Sequence, residues 1–199
     1  MKKIIAIFLC FVFCLGFSGC NNTEKKNVEA KAVLTKVLNQ KESFTVHNVY
    51  VDKTTEENLE KFRYPTYSNA LNIFVPAHYT FADFDADGIE ELLIIDAHLS
   101  DFLFLRYDDG KVYGYVHEKI SIQDVKTDGS FMTFDYDGYK AISRISFYGS
   151  SYEITNQAYL DDLENKYLLD GKSAQKSEVE EYFENWSKNT TKVSWEEIK

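Results

Sequence analysis

Covalent staples are out of reach for nearly all of this chain. Its 3 cysteines, Cys10, Cys14 and Cys20, all fall within the first twenty of 199 residues. A fold without cross-links must draw its stability from core size or from bound metal, since small exported folds otherwise depend on disulfides. Proline is scarce, with only Pro65 and Pro76, and there are just 9 glycines. With apolar residues at 44% and aromatics at 16%, that scarcity excludes a disordered or collagen-like chain. Basic residues are outnumbered, 22 Lys and Arg against 32 Asp and Glu, for a net charge of -10. Nucleic-acid affinity comes mainly from Lys and Arg neutralising phosphates, and no basic stripe is present, so nucleic acid is not an expected partner. Adsorption by charge onto anionic headgroups is disfavoured for the same reason.

Long hydrophobic runs are lacking too, apart from one. Ile4 to Phe17 follows Lys2 and Lys3 and ends in Phe17-Ser18-Gly19-Cys20. A bilayer core of about 30 Å needs roughly 20 apolar residues, so this shorter run reads as a removable export signal. It resembles bacterial lipoprotein signal peptides, with Phe17 standing where leucine is usual. The resemblance implies cleavage before Cys20, a diacylglycerol thioether on Cys20, and a lipid-anchored protein on the extracytoplasmic face of the cell membrane. Removal of residues 1–19 takes Lys2 and Lys3 with it and moves the net charge from -10 to -12. Lipid then holds the chain to the membrane, because two acyl chains anchor stably at about 0.8 kcal/mol per buried CH₂. Residues 20–26 serve as lipidated cysteine and polar tether, and 27–199 as a single globular domain, expected to be a monomer.

The periodicity along the remainder predicts an α+β fold. Asn27 is an expected N-cap for a helix carrying Ala30, Val33, Leu34, Val37 and Leu38 on one stripe. Thr54 and Glu57 form a capping-box pattern that predicts a second short helix with Leu59 and Phe62 on one side, ended by Pro65. The period then becomes two, over 78–84, 91–97, 102–107, 112–116, 121–125, 131–134, 141–148 and 152–158. Asp109-Gly110, Asp128-Gly129 and Asp137-Gly138 supply turn dipeptides between them, which predicts an antiparallel meander sheet of about eight strands. Residues 102–107 are apolar on both faces and belong at the sheet centre. Ser177 and Glu180 suggest a capping box for a C-terminal helix whose apolar face is Val179, Tyr182, Phe183 and Trp186.

The strongest chemical motif is Phe81-Ala-Asp83-Phe-Asp85-Ala-Asp87-Gly88-Ile89-Glu90-Glu91-Leu92. Alternate carboxylates at Asp83, Asp85 and Asp87 converge only if the backbone curls tightly, and Gly88 permits the turn. Carboxylates so close repel one another, and a hard divalent cation relieves the repulsion. An EF-hand would place a bidentate Glu at loop position twelve, where this chain has Ile94. The motif instead resembles the D-x-D-x-D-G loop of FG-GAP and VCBS-type hairpins. That resemblance implies calcium held by the side chains of Asp83, Asp85, Asp87 and Glu91 with the Ile89 carbonyl, in a role that pins the hairpin. Read without an ion, the same residues are solvated turn acids. Arg106 to Tyr115, Val125 to Phe131 and Lys166 to Gly171 leading to Tyr182 resemble a group of uncharacterised surface lipoproteins of Gram-positive bacteria, a likeness that carries over architecture and no activity.

Catalytic sets are not found. His47, His78, His98 and His117 are scattered, with no zinc-binding H-E-x-x-H pair. Gly149-Ser150-Ser151 lacks the flanking glycines of a nucleophile elbow and reads as a hairpin turn. Asp96 with Asp101 and Asp161 with Asp162 are pairs that any acidic surface would show. Tyr107, Tyr113, Tyr115, Tyr136, Tyr139, Tyr148 and Tyr152 suit recognition of a protein or glycan, or else cross-strand packing. The expected function is a calcium-stabilised cell-surface binding domain; an envelope hydrolase and an immunity or accessory factor are the competing classes.

Overall fold

The computed structural model describes residues 22–48, 53–62, 74–97, 102–117, 121–134 and 138–198. Cys20 and the whole signal segment lie outside them. Helix α1 covers residues 22–38. The strands are β1 (Phe44–Asn48), β2 (Lys53–Glu57), β3 (Pro76–Ala82), β4 (Glu91–Asp96), β5 (Phe102–Asp108), β6 (Lys111–His117), β7 (Ser121–Gln123), β8 (Phe131–Phe134), β9 (Tyr139–Tyr148), β10 (Ser151–Asp161), β11 (Lys166–Leu169), β12 (Lys172–Ser173) and β13 (Glu196–Glu197), with helix α2 (Lys176–Asn189) before β13.

The expected single meander is two sheets. One has seven strands in the order β13-β3-β4-β5-β6-β1-β2, and the other six in the order β12-β11-β10-β9-β8-β7. The larger sheet is mixed, because β1 joins β6 in parallel through Thr45 opposite Tyr113 and Val46 opposite Gly114. Gly114 makes that approach possible, since a Cβ there would lie 2.7 Å from the Phe44 ring. The α+β class holds in its broad form.

Three apolar clusters define four layers. Leu34 and Val37 of α1 pack on Phe44, Leu92, Ile94, Leu103 and Leu105. The opposite face of the same sheet sends Leu93, Phe102 and Phe104 against Ile122, Phe131, Ile145 and Phe147 of the second sheet. The outer face of the second sheet, with Ile142, Ala158 and Leu160, meets Val179 and Trp186 of α2. β4 and β5 are therefore covered on both faces, which is why their sequences are apolar without alternation. β5 occupies the middle of its sheet, as expected.

Several local expectations change. Residues 22–26 are helical, and Asn27 lies inside α1 instead of capping it. The anticipated second helix is strand β2, paired antiparallel with β1, while Leu59 and Phe62 beyond it are buried at 3% and 2% exposure in the α1 cluster. Pro65 lies outside the described residues. Helix α2 is capped two residues earlier than expected, with the Glu178 carboxylate accepting the Gln175 N–H at 2.7 Å. Asp109-Gly110 is a tight turn with both residues at positive φ, 47° and 82°. Asp128-Gly129 instead sits in the longer connection between β7 and β8, and Asp137 lies outside the described residues. After α2 the chain crosses back: Thr127 N–H donates to Thr191, Val193 N–H donates to Val125, and β13 pairs with β3.

Candidate metal centre

The acidic loop joins β3 to β4, closing above the Ala82–Glu91 pair. Its backbone turns through Ala86 at φ 63° and Gly88 at φ 87°, and the carboxylates fold inward to satisfy the amides this exposes. Asp83 accepts the Asp87 N–H at 3.1 Å and the Gly88 N–H at 2.9 Å. Asp85 accepts the Asp87 N–H at 3.2 Å, and Asp87 accepts the Ile89 N–H at 2.8 Å. Glu91, the first residue of β4, accepts the Phe84 N–H at 2.9 Å through Oε2.

Asp83, Asp85 and Glu91 each direct one oxygen into a common space, all within 4.8 Å of one another. Oxygens sharing one calcium ion at 2.3 to 2.6 Å are separated by no more than about 5 Å, so this acidic triad can hold a metal ion. Glu91 is fully buried, and its Oε1 has no hydrogen-bond partner. An orphaned buried carboxylate oxygen costs on the order of 1–3 kcal/mol. Burial, first, and then the Asp85 charge push the Glu91 pKa up to about 9. Burial also raises Asp85, opposed by Arg106.

The fourth expected side-chain ligand is not in the group. Asp87 turns to Arg106 of β5, whose Nη2 lies 3.0 Å from Asp87 Oδ2, while Nη1 pairs closely with Asp85 Oδ2. The sequence offers one signal for Arg106, a charged residue ending the apolar run Phe-Leu-Phe-Leu. Ile89 borders a groove of about 280 Å³ formed with Lys26, Glu29, Tyr107 and Asp108. None of the four loop acids lines that groove.

Two further elements hold the loop. From α1, Asn27 accepts the Glu90 N–H at 2.8 Å and Lys31 pairs with Glu90 at 2.7 Å. From the β7–β8 connection, Gly129 lies against the Asp83–Phe84 backbone so closely that a Cβ would fall 1.9 Å from the Asp83 carbonyl oxygen. That connection continues into the buried contact of Ser130 with Trp186, whose Nε1 donates to Ser130 Oγ at 2.7 Å.

The other candidates are not brought to this loop. Asp161 accepts the Leu163 and Glu164 N–H groups at 2.9 and 3.0 Å, and Asp162 pairs with Lys176 at 2.8 Å, so these neighbours face different partners. Asp101 and His98 lie outside the described residues. Gly149 and Ser150 form the β9–β10 turn. Among the tyrosines, Tyr115 is buried, Tyr139 stacks on Tyr159 at 5.3 Å and Tyr152 donates to the Val116 carbonyl at 3.1 Å, whereas Tyr148 is 60% exposed. Tyr136 lies outside the described residues. Among the described residues, no helix is long and apolar enough to cross a membrane. No protein-family model, curated protein or solved structure matches the chain.

Proposed function

We propose that this is a lipid-anchored extracytoplasmic binding domain in which a calcium ion, held by Asp83, Asp85 and Glu91, pins the β3–β4 loop between α1 and the second sheet. The observation that carries the calcium reading is the fully buried Glu91 carboxylate, which has an unpartnered Oε1 and supplies one of three oxygens within 4.8 Å of one another, the other two from Asp83 and Asp85. All-oxygen donors suit a hard cation, and extracellular calcium modules work at affinities as weak as about 10⁻⁴ to 10⁻³ M. The role is structural. The acids face inward and leave the adjoining groove to other residues, which supports pinning over catalysis. Support for the anchor comes from the run ending at Cys20, and support for a recognition role from Tyr148, presented at the β9–β10 turn.

Calorimetric titration of calcium chloride into chelator-treated full-length protein in detergent tests the ion. Wild type is expected to bind and Glu91→Gln, which keeps an acceptor for the Phe84 amide, to bind at least tenfold more weakly. Equal binding by both would place the ion elsewhere. Metabolic fatty-acid labelling should tag the wild type and spare Cys20→Ala; a label on both removes the anchor.

A further inference from the structure

We infer that Arg106 is the resident counter-cation of the acidic loop and sets the loop's affinity for a divalent ion by competing directly for Asp85. The inference rests on the calcium reading above and concerns how that site is regulated.

Asp85 belongs to two groupings at once. One of its oxygens converges with Asp83 and Glu91, and its Oδ2 is held by Arg106 Nη1. The other arm of the guanidinium holds Asp87 at 3.0 Å, which accounts for the absence of Asp87 from the converging set. A planar fork bonded to two carboxylates is a strong, geometrically fixed partner. The pair is also poorly hydrated, with side-chain exposure of 16% for Arg106 and 10% for Asp85, so solvent screens it little. An ion that recruits Asp85 fully, and Asp87 with it, must release this fork. Arg106 has a second support that does not involve the loop, because its guanidinium carbon lies 5.5 Å from the centroid of the Phe147 ring, on β9 of the other sheet. Released from the carboxylates, it keeps that aromatic contact. The site thus carries its own internal competitor, and weak affinity follows from the chain itself.

Lys31 supplies the control. It is a cation beside the same loop, 2.7 Å from Glu90, yet Glu90 is not among the three converging acids. In calcium titrations of chelator-treated full-length protein in detergent, Arg106→Gln should bind at least about tenfold tighter than wild type, since a contacting opposite charge is worth one to three logarithmic units. Lys31→Gln should stay within about twofold, because an exposed charge acts through solvent. Equal tightening in both variants would reduce Arg106 to a general field effect, and no tightening in Arg106→Gln would make it a support and not a competitor. A wild type that binds, with an unchanged Arg106→Gln, sinks this inference alone. Absence of binding in both sinks the calcium reading and the inference with it. A measurement on the unaltered protein guards against misfolding of the variant: the NMR signal of the Arg106 Nε–H should move as calcium is added, and a stationary signal through saturation would overturn direct competition.

Discussion

Replacing Gly129 with alanine should damage both the fold and the acidic loop, for two reasons whose sizes can be separated. The backbone at Gly129 has φ 79°, a left-handed conformation that costs an L-residue about 1–2 kcal/mol. The added methyl would also fall 1.9 Å from the Asp83 carbonyl oxygen and 2.6 Å from the Phe84 Cα. Both are backbone atoms with no rotamer to escape into, so the loop must move bodily, at the cost of about 1–3 kcal/mol typical of overpacking. The sum, about 2–5 kcal/mol, corresponds to a fall in Tm of about 4–20 °C for a chain of this size. Gly110→Ala and Gly171→Ala isolate the first contribution, because their φ values are 82° and 75° and a Cβ at either meets nothing within 4 Å. Thermal unfolding followed by circular dichroism, in chelator, should rank Gly129→Ala well below both controls. Because Asp83 is one of the converging acids, calcium affinity should fall in Gly129→Ala and stay constant in the controls. Equal Tm losses in all three would show that the β7–β8 connection does not bear on the loop.

Glu91 gives a pH prediction. Its folded-state pKa of about 9 lies above the unfolded value of about 4.3, so in chelator its contribution is greatest below pH 4.3 and is lost as pH rises towards 9, by at most about 1.4 kcal/mol per unit. Urea midpoints at pH 5 and 8.5 should fall across that interval in the wild type and much less in Glu91→Gln; parallel behaviour would place the pH dependence on other groups. Ser130→Ala should cost about 1–3 kcal/mol, since it leaves the buried Trp186 Nε1–H without its 2.7 Å acceptor. Denaturant unfolding checks it, and a loss under 0.5 kcal/mol would mean that water replaces the hydroxyl.

The elements legible in the sequence are those whose patterning reflects their own environment. The pattern over 131–134 coincides with the bounds of β8, and β4 and β5 carry unbroken apolar runs because both of their faces are covered. The illegible ones are set by distant partners. β2, Lys-Thr-Thr-Glu-Glu, holds an outer position in its sheet and bears the charges that suit an edge, so its Thr-x-x-Glu spacing imitates a helix start. Its pairing with β1 overrides that local preference. The parallel contact of β1 with β6 joins segments separated by more than sixty residues, and nothing near Phe44 announces it. The split into two sheets was hidden for a related reason: an alternating strand shows that one face is buried without saying against what.

The same distinction runs through the site. Asp83, Asp85 and Asp87 are readable as a curl of carboxylates because their spacing and Gly88 are local facts. Which of them converge is decided elsewhere, by an arginine on a neighbouring strand that draws Asp87 out of the set and contests Asp85. Glu91 reads in the sequence as one of four equivalent side-chain ligands that the loop resemblance implies, yet it is the one whose carboxylate is fully buried, because β4 starts there and is packed on both faces. Burial converts a common surface residue into the one group that most needs a cation, since an unpaired oxygen in the interior has no solvent to turn to. The loop's capacity for an ion therefore comes from the strands around it as much as from the motif. A D-x-D-x-D-G segment placed on a solvated hairpin, without a buried Glu at the strand start, should bind calcium more weakly than this one.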